Sequence, residues 1–229
     1  MNWCSLLLVF TLLLAGCASG QGQSSNGIER LAKSDIDEVI ELHQQVVMRD
    51  LKILMVKLYK RNPGERYDRE LRDIKASVEL TFSRPFNFNY AEFKHITRPT
   101  EIVRLALEPD YQGDRVLAFI VGLRRMLMAS YDNHTEFFYL TSIDQQKLYN
   151  SARNIEIAAW LLANRRDVHG QLLMLSDSLI EENRNLSYQR LIGRMIATQD
   201  NIAQIVSQKT GRLIKTVVVK AATMVFLPI

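Results

Sequence analysis

The residues best suited to chemistry gather between Tyr131 and Glu156. Asp132, Asn133, His134 and Glu136 sit on a turn, and Asp144, Gln145, Tyr149, Asn150, Arg153, Asn154 and Glu156 follow on one segment of helical period. Gln146, Asn150 and Arg153 or Asn154 recur at helical spacing, so they share a face. His134 with Glu136 or Asp144 has the residue types for general acid–base work. The same amides and guanidinium, set among Leu148, Ile155, Ile157 and Trp160, equally suit a buried hydrogen-bond network that fixes helix register. They also suit the lining of a polar pocket. The candidate polar site is therefore His134, Asp144, Asn150, Arg153 and Asn154, with three roles open: structural network, ligand or partner site, and catalytic centre.

No second reaction centre competes with it. His43, His95, His134 and His169 are scattered, without an HExxH motif or i, i+4 pairing, so no metal ligand set is expected. His43 falls on an apolar stripe and reads as a core residue. The chain has no G-x-S-x-G elbow, Walker loop or dinucleotide fingerprint. No cofactor is expected and no catalytic residue is assigned.

The elements that must position these side chains are helical. Ser34 is a good N-cap, with Asp37 and Glu38 in the first turn, where carboxylates favour the positive helix end. Ile36, Val39, Ile40, Val46, Val47, Leu51, Leu54 and Leu58 then form one stripe, ended by Asn62-Pro63-Gly64. A helix of about 27 residues runs about 40 Å and suits the spine of a bundle. Asn62 and Pro63 are read as opening a second helix through Tyr67, Leu71, Ile74 and Val78. Residues 79–98 alternate Phe82, Phe86, Phe88 and Tyr90 with polar residues around Pro85. They read as an ordered loop or short hairpin with aromatics folded onto the bundle, or as an exposed aromatic shelf.

Thr100 is the expected cap of a short helix before Pro109, and Arg115 to Tyr131 is apolar nearly all round, the most buried helix expected. Arg124 and Arg125 stop that run short of membrane length. Ser142 with Gln145 predicts a capping box for a helix to about Asn164. Val168 to Glu182 has helical period, and Asn185 is expected to open the last long helix, through Leu191, Ile192, Met195, Ile196, Ile202, Ile205 and Val206. The ending, LIKTVVVKAATMVFLPI, is read as a last helix packed on the bundle, with a surface- or partner-docking tail as the alternative. The expected fold is all-α: an irregular bundle of six to seven helices with one aromatic-rich loop or short hairpin.

From residue 186 onward six Lys or Arg face a single acid, Asp200. Arg190, Arg194, Lys209, Arg212 and Lys215 are thus a candidate basic surface. It is either a solvated helix face or a patch for anionic lipid or glycan. The whole chain's net charge of +4 is modest, and 47% apolar with 24% charged residues is ordinary for a globular domain.

The start of the chain has a different logic. Leu6 to Leu14 is a nine-residue apolar core, too short for a permanent span, and it ends on Ala15, Gly16 and Cys17. Leu14-Ala15-Gly16-Cys17 resembles the lipobox of bacterial lipoproteins. The resemblance implies cleavage before Cys17 and acylation of that residue, and Ala18 after it resembles sequences sent to the outer membrane in cells with two membranes. Two or more acyl chains hold a protein on a bilayer where one does so only reversibly. Met1, Asn2 and Trp3 supply no Lys or Arg, a departure from the usual signal. On this reading residues 1–16 are a signal peptide, 17–33 the lipidated cysteine and a flexible tether, and 34–229 a single helical domain. Cys4 leaves with the signal and Cys17 carries lipid, so no thiol remains for a disulfide, zinc site or nucleophile.

The expectation is a lipid-anchored protein of the cell envelope facing the periplasm, non-catalytic, acting as a structural, adaptor or assembly component with an envelope protein partner. No nucleic-acid partner is expected for a domain outside the cytoplasm. The alternatives are a lipid- or glycan-binding module using the aromatic segment and basic tail, and an envelope enzyme using His134 and Asp144.

Overall fold

The computed structural model describes residues 34–138, 141–177, 186–217 and 225–229. The lipobox, Cys17 and the tether lie outside the described residues. Six α-helices occur among the described residues: α1 (Asp35–Arg61), α2 (Ile74–Ser83), α3 (Pro99–Leu105), α4 (Arg115–Ser130), α5 (Gln145–Asn164) and α6 (Ser187–Thr210). No strand occurs among them, and the chain is all-α. No helix of the described residues is long and apolar enough to cross a membrane.

Ser34 and Asp37 cap α1 reciprocally. The Asp37 N–H donates to Ser34 Oγ at 3.4 Å, and the Ser34 N–H donates to Asp37 Oδ2 at 3.0 Å. The stripe then buries Val47, Leu51, Leu54, Met55 and Leu58 almost completely. Each such side chain contributes about 1.5–3 kcal/mol on leaving water. His43 is half-buried, its Nδ1 2.7 Å from the Val39 carbonyl one turn back.

Helix α4 is the centre, touching α1, α3 and α5. Its Val116, Phe119, Ile120, Leu123, Met126 and Leu127 are all buried. Helix α3 lies so close that a Cβ on Gly122 would stand 2.7 Å from the Val103 backbone nitrogen and 3.0 Å from the Pro99 carbonyl. Two arginines of α4 satisfy carbonyls that helix ends leave bare. The Arg115 guanidinium donates to Ala106, Glu108, Pro109 and Tyr111, tying off the exit from α3. Arg124 does the same for Thr81, Phe82 and Arg84 at the end of α2.

Helix α6 runs antiparallel to α1 and packs on α5. Its basic residues meet buried acids of α1. Arg194 grips both carboxylate oxygens of Asp50, whose side chain is fully buried, and Lys209 Nζ lies 3.1 Å from Asp37 Oδ1. Burial opposes charge on Asp37, but Ser34 and Lys209 together hold its carboxyl below the usual range.

Several expected elements differ. Residues 63–71 do not continue as a helix: Pro63–Glu65 forms one 3-10 turn, Tyr67 and Leu71 are exposed, and Asp73 caps α2 through the Ala76 N–H at 2.7 Å. Thr100 is not the cap of α3. Arg98 takes that position, and Pro99 enters the first turn. The expected Ser142–Gln145 box is replaced by Asp144, whose Oδ1 accepts the Gln146 N–H at 2.7 Å. Residues 168–177 are not helical. Asp167 Oδ1 accepts the N–H groups of His169 and Gln171, Gly170 adopts φ +77°, and Arg166 bridges Leu172. Turn chemistry overrides the leucine spacing there. Residues 178–182 and Asn185 lie outside the described residues, and α6 begins at Ser187 after Leu186.

The aromatic segment is a loop with one 3-10 turn, Ala91–Phe93, and no hairpin. Phe82 belongs to α2 and Phe93 is fully buried. Arg84 covers Phe88 at 4.3 Å from the ring centre. The final segment is not a helix in its described parts, 213–217 and 225–229. Its backbone groups bond to side chains of α5 instead of to one another, and residues 218–224 lie outside the described residues.

Candidate functional site

Gln146, Tyr149, Asn150 and Asn154 stand at i, i+3, i+4 and i+8 along α5, one face of the helix. The opposite face buries Leu148, Ala152, Ile155 and Leu162 and so fixes which way the polar side chains point. Each of the four reaches main chain far off in sequence. Gln146 Oε1 accepts the Lys215 N–H at 2.8 Å, and its Nε2 donates to the Lys215 carbonyl at 3.0 Å and to Asn150 Oδ1 at 2.9 Å. The Tyr149 hydroxyl accepts the Val217 N–H at 3.2 Å and faces the Val217 carbonyl at 3.4 Å. Asn154 repeats the Gln146 pattern on Leu227, accepting its N–H at 2.7 Å and donating to its carbonyl at 2.9 Å. Asn150 Nδ2 donates to the Pro228 carbonyl at 2.9 Å.

A primary amide carries a donor and an acceptor side by side, matching the N–H and C=O of one extended residue. The α5 face therefore grips backbone as a sheet edge would, while Ile214, Phe226 and Ile229 of the same segment pack against the core. Burial makes the grip obligatory: Asn154 is 0% and Asn150 7% exposed. Leaving such a group without a partner costs about 1–3 kcal/mol.

The other candidates go elsewhere. Asp144 caps α5. Arg153 turns toward α6, donating to Asp200 Oδ2 at 2.7 Å and pairing with Glu156 at 2.9 Å, its guanidinium 4.9 Å from the Tyr149 ring centre. Burial disfavours the Arg153 charge, but the two carboxylates raise its pKa, and burial pushes the Glu156 carboxyl up against the pull of Arg153. His134 is exposed on the turn after α4, where Asp132 and Asn133 adopt φ 52° and 62°. Its carbonyl accepts from Gln44 Nε2 at 2.8 Å, and its ring meets the edge of Phe137. Among the described residues no hydrogen bond or ion pair joins His134 to Asp144 or Glu136. Among the described residues no group of three or more His, Cys, Asp or Glu is placed to hold a metal ion.

The basic candidates do not form one patch. Arg190 and Lys209 are about 29 Å apart along α6. Arg194 and Lys209 are committed to Asp50 and Asp37, whereas Arg190, Arg212 and Lys215 face solvent.

Two clusters were not anticipated from sequence. The Tyr131 hydroxyl donates to Gln199 Oε1 at 2.6 Å, and Gln199 Nε2 donates to Ser151 Oγ at 2.6 Å and Ser130 Oγ at 3.2 Å. This hub joins α4, α5 and α6 in the core, and burial raises the Tyr131 pKa far above its ordinary value. Its one sequence signal is a glutamine inside the stripe Met195, Ile202, Val206. Near the other end of α4, Asp114 accepts the Leu117 N–H and the Tyr59 hydroxyl, both at 2.8 Å. Burial pushes its carboxyl up to about 7, opposed by those hydrogen bonds and reinforced by nearby Glu65.

No family model, curated protein or solved structure matches the chain.

Proposed function

We propose that this protein is a lipid-anchored component of the cell envelope that works as a non-catalytic adaptor or assembly factor, its helical domain facing the periplasm. The observation that carries the adaptor role is the α5 face, where Gln146, Tyr149, Asn150 and Asn154 hold the non-helical backbone of the chain's own final segment. Main-chain recognition by fixed side-chain amides is a means of holding another polypeptide segment. The anchoring rests on Leu14-Ala15-Gly16-Cys17 and its likeness to the lipobox. The groups suited to acid–base work are engaged otherwise: Asp144 as a helix cap, Arg153 in a carboxylate pair, His134 on an exposed turn.

Chemical cross-linking in intact cells, followed by purification from detergent-solubilised membranes, tests both parts. The native chain is expected in the membrane fraction, cross-linked to a discrete envelope protein, and Cys17→Ala is expected to lose both. A Cys17→Ala chain with unchanged membrane retention and cross-links would refute the proposal.

A further inference from the structure

Where the C-terminal half of α1 meets the start of α6, Ile53, Lys57, Ser187, Arg190, Leu191 and Arg194 line a surface cleft of about 360 Å³. The two stretches that meet here are one-sided in charge. Residues 51–64 carry Lys52, Lys57, Lys60 and Arg61 and no acid, and residues 187–199 carry Arg190 and Arg194 and no acid. Lys57 is half-buried, and its contacts are neutral: Nζ lies 2.6 Å from Ser187 Oγ and 4.8 Å from the Tyr188 ring centre. Arg190 is exposed, and its side chain makes no hydrogen bond or ion pair among the described residues. Arg194 uses Nε and Nη2 on Asp50, which leaves Nη1 uncommitted. The acids nearby are engaged. Asp50 is fully buried beneath Arg194, and Asp177 accepts the N–H groups of Tyr188 and Gln189 at the start of α6. Glu181 and Glu182 precede α6 and lie outside the described residues.

We propose that this cleft binds the phosphate of an anionic lipid headgroup, with Lys57, Arg190 and Nη1 of Arg194 as its donors. A phosphate offers several acceptor oxygens at once, which suits an ammonium beside guanidinium edges. The rim favours a bilayer over a soluble phosphate. Ile53 in the lining and Leu186 beside Ser187 are each 40% exposed, apolar side chains of the kind that enter the acyl boundary where cations meet headgroups. Attachment at Cys17 permits the contact. Lys57 stands about 33 Å along α1 from its first residue, and residues 17–33 span at most about 60 Å. A domain held there can lay α1 and α6 along the surface. This inference goes beyond the adaptor reading and rests on the anchor only for nearness to a bilayer.

The native chain, extracted from membranes and reconstituted in vesicles, tests it. Ile53→Cys carries a fluorophore, and a quencher in the lipid headgroups reports how often the cleft lies on the bilayer. Vesicles are phosphatidylcholine alone or with about 30 mol% phosphatidylglycerol. Quenching is expected in the anionic vesicles at about 0.1 M salt, fading at about 0.5 M, and not in the neutral ones. Lys57→Gln and Arg190→Gln are each expected to lower the ratio of docked to free domain about fivefold, the scale of one cation at an anionic surface. Arg190→Gln breaks no contact of the fold, so its effect cannot come from unfolding. Lys94→Gln with Arg98→Gln removes twice that charge beside α3, the helix packed on α4, and is expected to change the ratio less than about twofold.

Equal effects of the cleft and α3-side variants would overturn the proposal, leaving only general attraction of a cationic domain. Quenching abolished by millimolar inorganic phosphate at matched ionic strength would overturn it in favour of a soluble phosphate. A rise of tenfold or more on Glu181→Gln with Glu182→Gln would overturn it too, because the chain's own acids would then fill the cleft. An acylated chain without quenching refutes the headgroup site and leaves the anchor standing. A chain without acyl mass refutes the anchor, and the same label, with vesicles added to that chain, still decides the site.

Discussion

Gln199→Met keeps roughly the volume of the glutamine while removing every hydrogen bond it makes, so it isolates the polar part of the core hub. The Ser130 and Ser151 hydroxyls each keep a partner, since they donate to the Leu127 and Leu148 carbonyls of their own helices. Tyr131 keeps none, and its hydroxyl is then buried without an acceptor. An orphaned buried hydroxyl and its lost bond amount to about 2–3 kcal/mol. Tyr131→Phe alone strands the Gln199 carbonyl oxygen and is expected to cost about 1–3 kcal/mol. In the double variant both partners are apolar and neither is stranded, so its loss is expected to fall well below the sum, by about 2 kcal/mol. Urea denaturation followed by circular dichroism measures all four stabilities. If the two single losses add to within about 0.5 kcal/mol, the residues are not coupled and the hub does not bind the three helices as described.

Gly122→Ala drives a methyl into the Val103 backbone, and the clash outweighs the gain in helix propensity. A loss of about 1–3 kcal/mol is expected in the same assay, against none at solvent-facing Gly193. Arg194→Met leaves the Asp50 carboxylate buried without its partner, for a loss of about 3 kcal/mol, and Asp50→Leu added to it should recover most of that. Asp114 keeps its proton up to about pH 7 in the folded chain, while the unfolded chain releases it near 4. The unfolded state binds fewer protons across that window, so this group lowers stability as pH rises through it, and the effect levels off above about 7. Asp114→Asn should flatten that part of the melting-temperature profile between pH 4 and 7, and an unchanged slope would contradict the assignment.

What was legible in the sequence follows how local each signal is. The span of α1 is written in Ser34, the three- and four-residue apolar steps and Asn62, all acting within a turn or two of themselves. The burial of α4 follows from composition alone. Where two local signals competed, the stronger cap or turn prevailed: Asp144 over Ser142, Asp73 over Asn62, and the Asp167–Gly170 turn over leucine spacing. The polar face of α5 was visible as a face, but its role was not. The partners of Asn150 and Asn154 lie 78 and 73 residues away, and a tail of mixed Val, Phe, Leu and Pro carries no periodicity that announces a helix as its support. The charges of α6 look solvated in sequence, because the acids that hold them, Asp37 and Asp50, belong to the apolar-striped α1 at the other end of the chain.

The adaptor account depends first on attachment to a bilayer. Mass spectrometry of the N-terminal peptide of the native protein, extracted from membranes, measures that attachment. The account predicts a first residue of Cys17 carrying two or three fatty-acyl chains. A chain that begins at any other residue, or a Cys17 without acyl mass, would contradict it.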